Sequence, residues 1–280
     1  MIEKYDLHCH SNISDGVFSP EEIVTRAGEQ EVKMLALTDH DTVQGLFRAK
    51  QKANELGITL ISGVEISTEW ENKDIHVVGL NFDENHPAML NLLEKQTEMR
   101  QQRAQEISQK LEKINVFNAL DGASALTNGE VTRAHFARYL VQIGKVKDAK
   151  QAFKKYLGNG KTAYVKTSWC DIQTAIDVIH QAGGYAVLAH PLRYKLTTRW
   201  VKKLVEAFKQ WGGDGLEVAG CGQQIDQRRF LAKLAEDYGL FASVGSDFHF
   251  PCAWIELGRG LQLPEGCQPI WSTWNLEGDI

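Results

Sequence analysis

The stretch DLHCH at positions 6–10, followed by Asp15, decides the expected fold of this 280-residue chain. In an extended strand the side chains alternate between the two faces, so His8 and His10 point the same way. At a rise of roughly 3.3 Å per residue the two positions lie about 7 Å apart, which suits one metal ion. Two hydrogen-bonded core histidines would have the same spacing. The pair alone therefore leaves a metal site and a structural role both open.

The composition is that of an ordinary folded protein, with 43% hydrophobic and 24% charged residues. No apolar run approaches the roughly 18 residues that a membrane-spanning helix requires. The beginning, from Met1 to Tyr5, is too polar for a secretion signal. Five cysteines without a CxxC pair disfavour both a disulfide framework and a structural zinc site. We therefore expect a cytoplasmic protein with no membrane partner.

Charge is distributed unevenly along the chain. Between Lys95 and Lys166 there are fourteen Lys or Arg and six Asp or Glu residues, a local charge of +8. Because the whole chain carries −5, the remaining residues carry −13. A basic segment beside an acidic body suits an enzyme that holds an anionic substrate over a carboxylate-rich metal site. A solvated helical face with an incidental excess of charge would give the same count.

Short segments rich in Val, Ile and Leu alternate with helical patterns, which predicts parallel βαβ units. The stretch SPEE at positions 19–22 predicts a capping box and a helix that ends near Gln30. Further strands are predicted over 34–37, 75–80, 185–189, 216–219 and 240–244. Further helices are predicted over 43–56, 170–181, 199–211 and 227–238. This alternation is typical of an α/β barrel.

The alternation stops between residues 86 and 164, where no convincing strand pattern occurs. Apolar side chains recur at helical spacing from Met89 to Ile114, and more helices are predicted over 131–143 and 149–157. We expect residues 98–165 to form an all-helical, basic insertion that binds substrate. Residues 1–97 and 166–280 would then form the metal-binding barrel.

Histidines and carboxylates recur at the ends of the predicted strands, although His76 lies near the start of its strand. In α/β barrels the carboxyl ends of the strands converge on one mouth, where active sites lie. A single histidine is usually structural, whereas repeated occurrence at this place indicates a shared site. Nine side chains are expected to meet there: His8, His10, Asp15, His40, Glu65, His76, His190, Asp247 and His249.

The expected donor atoms suit a transition metal. Imidazole and carboxylate ligands without a thiolate fit Mn²⁺, Fe²⁺ or Zn²⁺, whereas Ca²⁺ and Mg²⁺ favour oxygen ligands alone. One site needs three or four protein ligands, so nine candidates predict two or three divalent ions, with Mn²⁺ as our first expectation. A bridging carboxylate would hold neighbouring ions about 3.5–4 Å apart, which suits displacement at phosphorus.

The ordered motifs DLHxHS, SDG, TDHD, GVE, LAHP and GSDFH resemble those of the PHP (polymerase and histidinol phosphatase) superfamily. The resemblance covers essentially the whole chain and every ligand position is filled. It implies a distorted (β/α)7 barrel with a trinuclear metal site. One ion would be held by His8, His10, Glu65 and Asp247. A second would be held by Glu65, His76 and His190, and a third by Asp15, His40 and His249.

The stretches VTRAHFAR (131–138), KTAYV (161–165) and SDFHFPCAWIELG (246–258) are similar to those of bacterial 3′,5′-nucleoside bisphosphate phosphatases. Relatives in that branch also act as a 5′→3′ exoribonuclease (RNase AM). The resemblance implies a phosphatase and phosphodiesterase with two kinds of substrate, nucleoside 3′,5′-bisphosphates and short 5′-phosphorylated RNA.

Three further residues are expected to bind the substrate. Arg133 and His135 on the insertion would hold a phosphate, Arg133 as a bidentate fork and His135 as a hydrogen-bond donor or leaving-group acid. Arg193, shortly after His190, is a third phosphate ligand. Asp6, Asp39, and Asp41 are expected to orient histidine ligands.

Other functions fit the same residues. A histidinol-phosphate or other small-molecule phosphatase would use the same metal site, but it would not need so large a basic insertion. A catalytically silent metal-bound scaffold or a polymerase-associated module belongs to a different class. The complete ligand set and the absence of polymerase sequence disfavour both.

Overall fold

The fold is a twisted sheet that curls into a nearly closed barrel. The structure, a computed structural model, describes residues 3–274, so Met1 and Ile2 of the polar beginning lie outside the described residues. The strands in that range are β1 (Lys4–Cys9), β2 (Val32–Leu37), β3 (Thr59–Trp70), β4 (Lys73–Leu80), β5 (Cys170–Asp171), β6 (Tyr185–Leu188), β7 (Gly215–Gly220) and β8 (Phe241–Gly245). They form one sheet in the order β1-β2-β3-β4-β6-β7-β8, with the short β5 paired to β3.

Backbone hydrogen bonds connect the two ends of this sheet. The Asp247 N–H donates to the His8 carbonyl at 2.8 Å, and the His10 N–H donates to the Phe248 carbonyl at 2.9 Å. The chain after β8 therefore runs beside the end of β1 and brings the two edges together. The expected α/β barrel is confirmed, with seven strands in its main path.

One strand departs from the expected parallel arrangement. β4 runs antiparallel to both β3 and β6, so the prediction of parallel units throughout is wrong here. β3 continues to Trp70, and the chain reverses at Glu71 and Asn72, which have φ values of 48° and 60°. Positive φ at both central residues gives a turn whose twist matches a β-hairpin. The reversal explains why His76, near the start of β4, lies at the same mouth as the ends of the parallel strands.

Helices cover the outside of the barrel and form the segment between β4 and β5. They are α1 (Pro20–Glu29), α2 (Leu46–Leu56), α3 (Pro87–Glu112), α4 (Ala119–Ser124), α5 (Arg133–Gln142), α6 (Ala149–Ala152), α7 (Ile172–Gln181), α8 (Thr198–Gln210) and α9 (Ile225–Tyr238). A π-helical turn follows α6 at Phe153–Leu157, and 3-10 turns occur at Pro191–Tyr194 and Ile270–Thr273.

Local signals place most of the helix ends. The predicted capping box is confirmed, because the Ser19 hydroxyl accepts from the Glu22 N–H and the Glu22 carboxylate accepts from the Ser19 N–H. α2 ends at Gly57, whose φ of 65° is the left-handed conformation that glycine adopts without strain. Cys170 lies in β5 and not in the following helix, because it pairs with Thr68 of β3.

The long helix α3 belongs to two hydrophobic cores. Met89 and Leu93 in its first half pack with the barrel. Ile107 and Leu111 in its second half pack in a separate core with Phe136 of α5. The helical segment therefore has apolar packing of its own, and the proposed boundaries at residues 98 and 165 stay a prediction.

Among the residues that the structure describes, we find no helix with the length and apolar character needed to cross a membrane.

Candidate metal centre

The nine predicted ligands lie together at the mouth of the barrel. Their nitrogen and oxygen atoms form three overlapping groups, in each of which all atoms lie within 4.8 Å of one another. The groups are His8, His10, Glu65 and Asp247; His10, Asp15, His40 and His249; and His40, Glu65 and His76. His190 joins them through Glu65, because its Nε2 lies 3.0 Å from Glu65 Oε1.

The first group is buried and closely spaced. Glu65 Oε2 lies 3.3 Å from His8 Nε2 and 3.2 Å from His10 Nε2. Asp247 Oδ1 lies 3.4 Å and 3.2 Å from the same two nitrogen atoms. The two imidazoles of the DLHCH stretch therefore point into one space, with one carboxylate on each side.

Glu65 connects this group to the rest of the centre. Its Oε1 atom lies 2.8 Å from His76 Nδ1 and 3.0 Å from His190 Nε2, while its Oε2 atom lies 3.0 Å from His40 Nδ1. The Glu65 side chain is fully buried. One carboxylate thus contacts imidazoles from β1, from the ends of β2 and β6, and from the start of β4, as a bridging ligand would.

The last group lies towards the helical segment. Asp15 Oδ1 is 3.1 Å from His249 Nε2 and 3.7 Å from His40 Nε2. The His249 ring is stacked on that of His10, with ring centroids 4.1 Å apart. These contacts place Asp15, which lies in a loop, next to ligands that follow β2 and β8.

Two of the predicted ligands, His190 and Asp247, have unusual backbone conformations just after the ends of their strands. His190 has φ 27° and Asp247 has φ 52°, both rare for residues with a side chain. The Asp247 conformation is held by the hydrogen bond from its N–H to the His8 carbonyl. Such strain persists where the surrounding structure determines it, often at functional sites.

The three expected orienting aspartates have another role. Asp39 accepts from the Ser11 N–H and from the Ser11 and Ser14 hydroxyls, at 2.6–2.8 Å. Asp6 accepts from three backbone N–H groups, those of Ser246 and Gly258 at 2.9 Å each and that of His8 at 3.4 Å. Among the described residues, neither carboxylate forms a hydrogen bond to an imidazole ring. Both instead hold the backbone that carries predicted ligands.

Asp41 pairs with an arginine of α3. Arg100 donates from Nε at 2.8 Å and also from Nη2, and the Ser67 N–H donates to the other carboxylate oxygen at 2.8 Å. The expected role in orienting a histidine is therefore wrong for this aspartate too. It anchors the long helix to the barrel beside His40.

Glu217 is the orienting carboxylate that sequence reasoning left out. Its Oε2 atom accepts from His8 Nδ1 at 2.9 Å and from the His190 N–H at 3.3 Å. A hydrogen bond at Nδ1 leaves Nε2 of His8 free to bind a metal ion. The available signal was an acid within the apolar strand β7, between Leu216 and Val218.

The side chains present fit a group of divalent cations. Several buried atoms of the centre lie close to one another but form no hydrogen bond of acceptable geometry with any described residue. They include His8 Nε2, both ring nitrogens of His10, Asp15 Oδ1, His40 Nδ1, Glu65 Oε2 and His190 Nδ1. Buried polar atoms without partners are costly, and so many in one place are unusual. All are nitrogen or oxygen donors, the set that suits Mn²⁺, Fe²⁺ or Zn²⁺.

Comparison with known proteins gives the family. The sequence profile of the PHP domain matches residues 6–166, more than half of the chain. The chain belongs to the PHP domain family. A 5′-3′ exoribonuclease from Haemophilus influenzae is 60% identical to it over 271 residues, which cover 97% of this chain and 99% of that protein.

A named relative and a solved structure, both from Chromobacterium violaceum, are similar over nearly the whole length of this PHP chain. A 3′,5′-nucleoside bisphosphate phosphatase is 40% identical over 269 residues, which cover 95% of this chain and 94% of that protein. The solved structure of an amidohydrolase with bound sulfate and no metal has a TM-score of 0.91 at 39% identity. That match covers 96% of this chain and 95% of the other.

Burial and charge act in opposite directions on the pKa values of the PHP centre. Burial raises the pKa of Glu65, but the surrounding histidines outweigh it and hold that pKa well below its usual value. Burial lowers the pKa of His8, yet Glu65 and Glu217 raise it well above normal. At His40 burial prevails and the pKa falls to about 3, whereas at His249 neighbouring carboxylates overcome burial and raise it to about 10.

A pocket lined by arginines opens directly from the PHP centre towards the helical segment. Its lining includes Asp15, His40 and His76 from the centre, together with Arg100, Arg103, Arg133, Phe153 and Trp169. The pocket therefore joins predicted metal ligands to three guanidinium groups and two aromatic rings. The predicted substrate ligand Arg133 lies in it, 3.6 Å from Asp74.

Arg103 was not predicted and is the least compensated of these cations. Its Nε has no hydrogen-bond partner among the described residues, and its guanidinium lies 5.5 Å from the centre of the Trp169 ring. Burial lowers its pKa to about 9, and repulsion by Arg133 contributes. Its helical position in α3 gave no signal that separated it from the solvated charges of the same helix.

His135 and Arg193 occupy different positions around the centre. His135 is buried at the start of α5, where its Nδ1 accepts from the Thr132 N–H at 3.0 Å and its Nε2 has no partner. Burial lowers its pKa to about 4. Arg193 forms an ion pair with Asp247 and does not line the arginine pocket. A residue that was missed, Arg138, donates to the Asp15 carbonyl and so connects α5 to that ligand loop.

Proposed function

We propose that the protein is a metal-dependent phosphoesterase that removes the 3′-phosphate from nucleoside 3′,5′-bisphosphates and degrades 5′-phosphorylated RNA in the 5′→3′ direction. The observation that carries this proposal is the pocket in which Asp15, His40 and His76 face Arg103 and Arg133. A substrate with two phosphates fits such a site, one phosphate at the ligands and the other at the arginines. The names of the related exoribonuclease and bisphosphate phosphatase agree with it.

Two or three divalent ions, with Mn²⁺ preferred, would be held by the nine ligands in the sets that the family resemblance implies. Glu65 would be shared between two of them, consistent with its contacts to imidazoles on both of its oxygens. When bound, such ions lower the pKa of a water and neutralise charge on the phosphoryl oxygens.

The chain's own residues position the substrate and the ligands. Glu217 holds the His8 ring through Nδ1. Arg103 and Arg133 bind the 5′-phosphate, since guanidinium groups match phosphate geometry. His135 is neutral at pH 7 because of its low pKa, so it acts through its Nε2–H as a hydrogen-bond donor and not as the leaving-group acid.

The experiment that tests the proposal compares three substrates in the presence of Mn²⁺: adenosine 3′,5′-bisphosphate, a short 5′-phosphorylated RNA and histidinol phosphate. We expect release of phosphate from the first and of 5′-mononucleotides from the second. Histidinol phosphate should be a poor substrate, because its ammonium group would approach the three guanidinium groups of the pocket. Preference for histidinol phosphate, or no activity on either nucleotide substrate, would contradict the proposal.

Salt should separate the binding of RNA from the hydrolysis of a single nucleotide. The basic helical segment carries a local charge of +8 and can contact several phosphates of an RNA strand. We therefore expect RNA affinity to fall steeply between about 50 and 200 mM salt. The kcat for adenosine 3′,5′-bisphosphate should fall much less, because that substrate has few contacts beyond the pocket. Fluorescence anisotropy and phosphate release measure the two quantities; equal salt dependence would argue against an extended RNA path.

A further inference from the structure

A second polar pocket opens from the metal centre, between the turn Pro191–Tyr194 and the loop that joins β7 to α9. Its lining includes His190, Arg193, Glu217, Gly222, Gln223 and Gln227. It shares no residue with the arginine pocket on the other side of the centre. Two larger cavities are lined by the starts of strands, the end of α9 and residues 258–271, and neither contains a predicted ligand.

Glu65 contacts one imidazole from each of the two polar pockets. Its Oε1 atom lies 2.8 Å from His76 Nδ1 and 3.0 Å from His190 Nε2. His76 lines the arginine pocket and His190 lines the second pocket, and their ring centroids are 5.4 Å apart. A phosphoryl group held beside His76 and His190 would therefore have one polar pocket next to each imidazole.

The lining of the second pocket can recognise the sugar, phosphate and base edges of a nucleotide. Its only acid, Glu217, is engaged by His8 and by the His190 N–H. Gln223 accepts from the Gly220 N–H through Oε1 at 2.9 Å, which leaves its amide N–H groups to donate. Gln227 is exposed in the first turn of α9. Amide and guanidinium donors bind phosphates and base edges, as in known nucleic-acid interfaces.

The chemistry of the two substrates explains why a second pocket is useful. In both, water forms a new bond to phosphorus, the bond from phosphorus to the 3′ oxygen breaks, and that oxygen takes a proton. The phosphoryl group of RNA differs only because one of its other oxygens carries the next nucleoside. An enzyme for both substrates therefore needs space for that nucleoside beyond the phosphoryl site.

We infer that the pocket of Arg193, Gln223 and Gln227 binds the nucleotide on the 3′ side of the scissile phosphate. It is filled by RNA and remains empty with a nucleoside 3′,5′-bisphosphate. The inference rests on the proposed function and adds to it the residues that distinguish the two substrates. Gln227 is a suitable position to test, because it is exposed and, among the described residues, its side chain accepts a hydrogen bond from the Gln224 N–H at the start of α9 and not from a predicted ligand.

The test compares two variants that place opposite charges at one position, Gln227→Glu and Gln227→Arg. The probe is a 5′-phosphorylated triadenosine nucleotide, and the reference is adenosine 3′,5′-bisphosphate. Both carry a phosphate at the scissile position, whereas only the trinucleotide carries a further phosphodiester on the 3′ side of it. We measure the ratio of kcat/KM for the first cleavage of the trinucleotide to that for the bisphosphate. The ratio should be lower for Q227E than for Q227R by about tenfold, because a carboxylate near the second phosphodiester repels it and a guanidinium attracts it.

Gln173→Glu is the matched control, since Gln173 is an exposed glutamine near the start of α7 and lies outside both polar pockets. It should leave the ratio unchanged. Equal ratios for Q227E and Q227R, or the same shift in Q173E, would overturn the inference. Failure of the native protein to hydrolyse the bisphosphate would instead contradict the proposed function, so the two outcomes are distinguishable.

Discussion

Replacing Glu65 by glutamine is expected to reduce kcat/KM for adenosine 3′,5′-bisphosphate by at least about a thousandfold. Glu65 is fully buried and contacts His8, His10, His40, His76 and His190 through its two oxygens. The amide has nearly the same shape as the carboxylate, but it is neutral and a weak ligand. Loss of one negative charge should therefore remove bound metal as well as activity.

The measurement combines steady-state kinetics with metal analysis of protein purified without a chelator. Glu69→Gln is the matched control, because Glu69 lies four residues further along β3 and pairs with Lys166 outside the centre. That variant should retain its metal content and its activity. A Glu65→Gln protein with the metal content and turnover of the native chain would contradict the role of Glu65 as a shared ligand.

The barrel was largely predictable because its signals are local. The capping box at Ser19 begins α1 and Gly57 ends α2, as predicted. Each signal involves residues within about one helical turn. The hairpin between β3 and β4 was missed because Glu71, unlike Asn72, is not a usual residue for a turn that needs positive φ twice. The sequence pattern of β4 is that of any buried strand, and it contains no information about direction.

The proximity of the nine predicted ligands could be expected from the sequence for a different reason. The ends of barrel strands meet at one mouth, so a residue's place at a strand end gives its place in space. No such positional rule predicts the contacts of Glu217 and Arg138. Glu217 acts through His8 and Arg138 acts through the backbone of Asp15, and both contacts depend on strands or helices far apart in the sequence.

The role of Arg103 also could not be predicted from the sequence, in this case because it depends on which charges are paired. Sequence alone gives a basic helical segment, but it does not separate an arginine paired with a carboxylate from one that lacks a partner. Arg100 is paired with Asp41, whereas Arg103, one turn further along α3, faces the pocket with its Nε unpaired among the described residues. Arg103 is therefore the arginine to which a substrate phosphate could supply the missing partner.

Replacing Arg103 by glutamine is accordingly expected to lower kcat/KM for adenosine 3′,5′-bisphosphate by about a hundredfold, the loss of a charge-assisted contact to phosphate in a partly buried site. Hydrolysis of adenosine 3′-monophosphate, which has no 5′-phosphate, should change only a few-fold. The thermal midpoint of unfolding should stay the same or rise, because the variant removes a cation that burial and Arg133 already destabilise.

This combination separates a binding role from a structural one. A structural arginine would lower stability and affect both substrates equally, whereas a phosphate ligand affects one substrate and leaves stability intact. Arg199→Gln provides the control, since Arg199 is exposed on α8 and lies outside the arginine pocket. Equal losses on the two nucleotides, or a lower midpoint of unfolding in R103Q, would exclude Arg103 as the ligand of the 5′-phosphate. Because the 5′-phosphate identifies the end from which RNA is degraded, the selective loss should extend to 5′-phosphorylated RNA.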